Sequence, residues 1–173
     1  MRKLVLMVTL DAYADWEAAW LASWVYALGR GAWAIKTVSP GAAPVVSMGG
    51  FTLLPECDLA SAPEDFAGLA LIGGMSWRTR AARDAAPLVR RALERKAVVG
   101  AICDAVTFLG VQGFLNAADH TCNDPEDLQR LAGEAYTGRN RYRRQPAVRD
   151  GKMVTANGTA ALEWAREVLL ALA

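Results

Sequence analysis

The sequence holds a single histidine, His120, and only three cysteines, Cys57, Cys103 and Cys122, with no Cys-x-x-Cys pair. An odd set with that spacing missing argues against a disulfide scaffold and against a zinc site. It suits a reducing cytoplasm. Net charge is also scarce: 19 Lys and Arg against 18 Asp and Glu leave +1, so no global field draws the chain to nucleic acid or to an anionic membrane. No apolar run approaches the roughly 18 residues that cross a bilayer. Small molecules or other proteins are the default partners.

What is present is apolar substance. A chain of 173 residues with 53% hydrophobic residues buries one continuous core and is too short for two ordinary domains, so residues 1–173 read as a single domain. The start, MRKLVLMVTLDAYADWEAAW, imitates a secretory signal, with basic residues, an apolar run and Ala12-Tyr13-Ala14 in the manner of a cleavage site. The run from Leu4 to Leu10 is short for that purpose and reads as a buried strand.

Short Val/Ile/Leu runs then alternate with helix-period segments. The first strand leads into a helix from about Asp15, as N-cap, to Gly29. WAIKTVSP is a second strand. APVVSMGGFTLLPECDL reads as a hairpin arm outside the parallel core, turning at Gly49-Gly50. GLALIGG is a third strand, and Pro87 to Lys96 is an amphipathic helix with Leu88, Val89, Ala92 and Leu93 on one face. AVVGAIC is a fourth strand, feeding a helix from about Ala105 to Gly113. A short helix follows, capped by Asp124 with Pro125 at its first position, then a hairpin at Asp150-Gly151 and a last helix from near Asn157. This alternation predicts a doubly wound α/β fold, a mostly parallel sheet with helices on both faces.

Cys103 falls where a buried strand ends and a helix begins. A sharp turn there lifts the sulfur above the carboxyl edge of the sheet, the geometry of a nucleophile elbow, and the helix N-terminus favours the thiolate. A buried structural thiol is the competing reading. Two segments favour the elbow. Gly73 and Gly74 end the third strand and let backbone N–H groups turn outward, as an oxyanion hole needs. Glu17 lies in the first turn of the helix after strand one, on the same sheet edge, within reach of the sulfur.

At this point YADWE, LIGGMSW, VVGAIC, GFLNAADHTCN and DGKMVTANGTAALEWA, in that order and spacing, make the chain resemble the ThiJ/PfpI (DJ-one/PfpI) superfamily of the class I glutamine amidotransferase-like fold. The resemblance spans essentially the whole chain. It implies a flavodoxin-like sandwich, usually a homodimer; no cofactor is expected. It also implies Cys103 as nucleophile, Glu17 as its acid partner, and the Gly74 and Asp104 N–H groups as oxyanion donors.

Departures from the pattern narrow the chemistry. Protease-like members carry His directly after the cysteine, where this chain has Asp104, and amidotransferases use a His near the C-terminal helix, where there is none. Other members place His in the strand after the elbow helix, where Asn123 aligns and His120 stands three residues earlier. His120 and Asn123 are therefore candidate pocket residues, with a structural hydrogen bond the preferred role for His120. Trp77, after the diglycine loop, is a candidate pocket wall. Asp104 either points away from the thiolate it would repel or hydrogen-bonds locally.

Three further features have plain readings. The basic RNRYRRQPAVR is a solvated loop or dimer contact. Trp16, Trp20 and Trp24, at helical spacing, are a packing or dimer stripe. Cys122 is a buried strand residue. The expected function is that of a stress-response protein whose Cys103 meets peroxide or small electrophiles. The alternative is a small-molecule enzyme of glyoxalase, deglycase or hydratase type using a Cys-Glu dyad; a protease or glutaminase is disfavoured.

Overall fold

β1 (Lys3–Val8) is apolar from Leu4 onward because it is an interior strand of a sheet covered on both faces. It pairs in parallel with β2 (Trp33–Ser39) on one side and β6 (Gly68–Leu71) on the other. This computed structural model describes residues 2–173. In chain order the remaining strands are β3 (Val45–Val46), β4 (Thr52–Leu53), β5 (Cys57–Asp58), β7 (Val98–Ile102), β8 (Ala147–Asp150) and β9 (Met153–Ala156). Seven form one sheet in the order β5-β2-β1-β6-β7-β9-β8, parallel except where β8 runs against β9. The flavodoxin-like, doubly wound layout expected from the sequence is what the chain forms.

Alternation along the strands sends side chains to two separate cores. Val5, Met7, Ala70 and Ile72 meet α1 (Asp15–Leu28) through Leu21 and Val25, and α5 (Ala161–Leu172) through Trp164 and Val168. On the opposite face Leu6, Val8, Leu69 and Leu71 meet α2 (Ala86–Glu94), α3 (Asp104–Val111) and α4 (Pro125–Ala132) through Val89, Leu109 and Leu128. Among the described residues no helix is long and apolar enough to cross a membrane.

The hairpin arm exists as β3 and β4, but its tail does not stay outside the core: Cys57–Asp58 joins the sheet edge beside β2. Asp15 is not the N-cap of α1. Ala14 holds that position, and the Asp15 carboxylate instead accepts the Gly49 N–H at 2.8 Å, tying the arm to the start of α1. Asp11 holds the arm in the same way through the Val46 N–H at 2.9 Å.

Leu93 is exposed, one step past the edge of the buried stripe made by Leu88, Val89 and Ala92. The β8–β9 turn is Gly151-Lys152, one residue later than expected. α5 starts at Ala161 because Asn157 Oδ1 accepts from the Thr159 N–H and hydroxyl and holds the preceding bend open. His120 and Cys122 lie in no strand. His120 makes one bridge to Tyr142, and the next N–H, of Thr121, goes to the Thr155 hydroxyl rather than to a backbone carbonyl.

Candidate active site

Between β7 and α3 the chain turns on Cys103 itself, whose backbone sits at φ 59° and ψ −132°. A side chain in this region costs about 1–3 kcal/mol and persists only where neighbours impose it. They do so here: the Cys103 N–H is bound to the Ala156 carbonyl at the end of β9, and its own carbonyl starts α3 by accepting from Val106. The turn lifts the half-buried sulfur above the sheet edge.

Glu17 enters from α1 and is fully buried. Its Oε2 accepts the Gly73 N–H at 2.8 Å, so the first glycine of the diglycine loop orients the carboxyl group. Gly73 is also a matter of space, since a Cβ there would stand 2.3 Å from Glu17 Oε2 and 2.5 Å from Cys103 Cβ. Oε1 has no hydrogen-bond partner of its own and lies on the same side of the cleft as the sulfur, since a Cβ on Gly158 would stand 3.0 Å from Sγ and 3.3 Å from Oε1. Burial pushes the Glu17 carboxyl up to about 7, the nearby Asp104 charge adds to this, and the Gly73 N–H and the cysteine pull it partly back.

The thiol does not follow the expectation drawn from the helix N-terminus alone. Burial raises its pKa, with further repulsion from Glu17 and Asp104, while the Asn123 amide and the Asp104 N–H lower it. The helix end is one contribution, and burial exceeds it. Glu17 ceases to repel the thiolate once it holds a proton itself, so the two groups titrate as a coupled pair.

Asn123 completes the arrangement. Its Nδ2 donates to Cys103 Sγ at 3.2 Å, and its Oδ1 accepts the Gly158 N–H at 2.8 Å. The resulting cleft, of about 470 Å³, is lined by Trp16, Glu17, Cys103, Asn123, Asn157, Gly158 and Thr159. Gly158 was not singled out in the sequence. Asn157-Gly158 is nevertheless a turn signal at the end of the strand beside the elbow strand, and a Cβ on Gly158 would lie 3.0 Å from the sulfur.

One expected oxyanion donor, Gly74, and two expected pocket residues, Trp77 and His120, do not line the cleft. Gly74 is bridged to Tyr13, packs where a Cβ would stand 2.4 Å from the Ala12 carbonyl, and does not line the cleft. Trp77 is buried against Phe108, with its indole N–H on the Ile72 carbonyl. His120 is fully buried, with Nδ1 on the Ala118 carbonyl at 2.8 Å and Nε2 at the Tyr136 hydroxyl at 2.5 Å. Both ring nitrogens are engaged, and burial lowers its pKa. No histidine reaches the sulfur.

Asp104 turns away from Cys103 into a two-pronged ion pair with Arg78, at 2.8 Å for each hydrogen bond, and Arg78 also meets Asp127 at 3.0 Å. Its charge is thereby largely balanced beside the thiol. The basic loop is an ion-paired surface: Arg139 with Glu126, Arg141 and Arg143 with Asp119, and Arg149 with Glu167. Among the described residues no cluster of His, Cys, Asp and Glu is placed to hold a metal ion.

Comparison with known proteins agrees with this architecture. The DJ-1/PfpI family model matches residues 3–171. The Bacillus subtilis (strain 168) protein named uncharacterized protease YdeA is 37% identical over 172 residues, covering 96% of this chain and 82% of its own. The crystal structure of the DJ-1 superfamily protein Atu0886 from Agrobacterium tumefaciens superposes with a TM-score of 0.90 at 36% identity, covering 98% of this chain and 89% of that one. A thiJ/pfpI family protein from Bacillus anthracis superposes with a TM-score of 0.92 at 28% identity, covering 99% and 84%.

Proposed function

The chain belongs to the DJ-1/PfpI family, and from that premise we propose that it is a protective or sensing protein in which Cys103 is oxidised by peroxide or captures small electrophiles. The observation that carries the reading is the buried Glu17 carboxyl facing the sulfur, with a pKa of about 7 and no histidine beside it. Transfer of the thiol proton to Oε1 leaves a thiolate that attacks one peroxide oxygen. The O–O bond breaks and hydroxide departs, Cys103 becomes a sulfenic acid, and the hydroxide takes the sulfenic proton to leave as water, giving the sulfenate. A second peroxide oxidises the sulfenate to sulfinate and leaves as water. Protonated Glu17 and the Asn123 amide then donate to the new oxygens.

Three free thiols suit a reducing cytoplasm, and the exposed Trp16 and Trp20 suit a homodimer contact. The test is peptide mapping after mild peroxide and, separately, after iodoacetamide. Cys103 gains about 32 Da, the two oxygens of a sulfinate, and alkylates far faster than Cys57 and than Cys122; burial pushes the Cys122 thiol up to about 12. Equal labelling of all three cysteines would overturn the assignment.

One observation favours a second reading: a carboxyl with a pKa near 7 serves as both acid and base at neutral pH. In that reading Cys103 adds to a reactive carbonyl and Glu17 returns the proton. Steady-state turnover of methylglyoxal that vanishes in Cys103→Ala would favour it over oxidation alone.

A further inference from the structure

A second cavity, of about 350 Å³, opens between the two 3-10 turns that follow β6, Met75–Arg78 and Arg80–Ala85, and the helices α3 and α4. It shares no lining residue with the Cys103 cleft. Its volume lies within the range of sites for small organic ligands. Phe108, Val111 and Leu131 provide apolar walls. Three guanidinium groups are placed around it, in a chain whose formal net charge is only +1.

These three arginines are not equivalent. Arg78 is engaged by Asp104 and Asp127, so both nearby carboxylates are already balanced and do not repel an incoming anion. Arg80 and Arg83 are exposed and form no ion pair among the described residues. Thr107 and Gln112 add a hydroxyl and an amide to the lining. Two uncommitted planar cations beside an apolar hollow match a ligand with an anionic head and a compact apolar body, because guanidinium groups bind carboxylate and phosphate oxygens in pairs.

We propose that this cavity binds a small organic anion, its carboxylate or phosphate held by Arg80 and Arg83 and its body packed against Phe108, Val111 and Leu131. The site shares no lining residue with the Cys103 cleft.

Calorimetric titration of the full chain with phenyl phosphate and with benzoate tests this, with inorganic phosphate and phenol as single-feature controls. At least one of the two organic anions should bind at least tenfold more tightly than either control, and the better of the two identifies the preferred head group. Arg80→Gln/Arg83→Gln should weaken that binding at least tenfold while leaving Cys103 alkylation unchanged, which also reports an intact fold. Leu131→Trp, which fills the cavity without altering charge, should weaken it by a similar factor. Cys103→Ala should bind as the parent does. Equal affinity for inorganic phosphate and phenyl phosphate would reduce the cavity to a charged surface. Absence of binding, survival of binding in the double variant, or its loss in Cys103→Ala would each overturn the assignment.

Discussion

Asn123 holds the Cys103 sulfur and the Gly158 backbone at once, with Nδ2 3.2 Å from Sγ and Oδ1 2.8 Å from the Gly158 nitrogen. One neutral amide therefore fixes both the nucleophile and the strip of chain above it. It cannot take a proton, which separates this site from a cysteine–histidine pair.

Removing that donor should cost the thiolate. A hydrogen bond to a charged group contributes about 1.5–3 kcal/mol, or roughly one to two pK units. Asn123→Ala is expected to slow Cys103 alkylation at pH 7 by about tenfold to a hundredfold on that scale, and Asn123→Asp, which brings a negative charge, should slow it at least as much. Rates measured against pH will show a raised thiol pKa in both; unchanged profiles would remove Asn123 from the site.

Glu17 gives a stability signature of unusual sign. Its folded-state pKa of about 7 lies above the ordinary 4.5, so between these values the folded protein holds more protons than the unfolded chain, and stability falls as pH rises. The difference, about 7 minus 4.5, is about 2.5 units, of order 3 kcal/mol. Glu17→Gln keeps an acceptor for Gly73 and cannot ionise. Its stability relative to the parent should therefore increase between pH 4.5 and pH 7 and level off above, as read from denaturant midpoints. Both Glu17→Gln and the shorter Glu17→Asp should lose a stable sulfinate under mild peroxide, the Asp variant more completely.

The two close-packed glycines should respond differently. Gly158→Ala places a methyl group 3.0 Å from the sulfur at the open side of the cleft, so alkylation slows several-fold with little change in stability. Gly73→Ala drives a methyl group to 2.3 Å from the Glu17 carboxylate and 2.5 Å from Cys103 Cβ. That overpacking should cost about 1–3 kcal/mol or more, visible as a lowered melting temperature. A well-folded, normally reactive Gly73→Ala protein would contradict the packing described.

Amide hydrolysis should be absent, whatever the names of relatives suggest. Expelling an amine needs a general acid to protonate it, a role contributing roughly 10² to 10⁴ in rate; with both nitrogens of His120 occupied away from the cleft, Glu17 alone would have to serve as base and acid, which suits addition to a carbonyl better than expulsion of an amine. Purified protein is expected to show no Cys103-dependent hydrolysis of casein, peptide amides or glutamine. Hydrolysis abolished by both Cys103→Ser and His120→Ala would show that His120 rotates into a triad.

The legibility of the sequence follows the range of each interaction. β1, α1 and the elbow rest on local periodicity and on a strand–helix junction, and they read directly. Glu17 reads because the parallel topology delivers the first turn of α1 to the sheet edge occupied by Cys103. The Arg78–Asp104 ion pair joins residues 26 apart and exists only once α3 packs beside the turn after β6, so no local pattern announces it. Trp77 and His120 stand near the right loops, but ring direction is decided by the Ile72, Ala118 and Tyr136 partners. Thiol burial, which outweighs the helix end, is likewise a property of the packed state.

The positive φ at Cys103 reverses an ordinary ranking of side chains. Elsewhere in a fold, alanine is worth roughly 0.5–1 kcal/mol more than glycine because it restricts the unfolded chain. At φ 59° alanine retains the backbone strain and glycine releases it, so Cys103→Gly should melt above Cys103→Ala. The backbone and the chemistry thus favour different residues at this position. Once the thiol is gone, the backbone at this turn favours glycine over alanine.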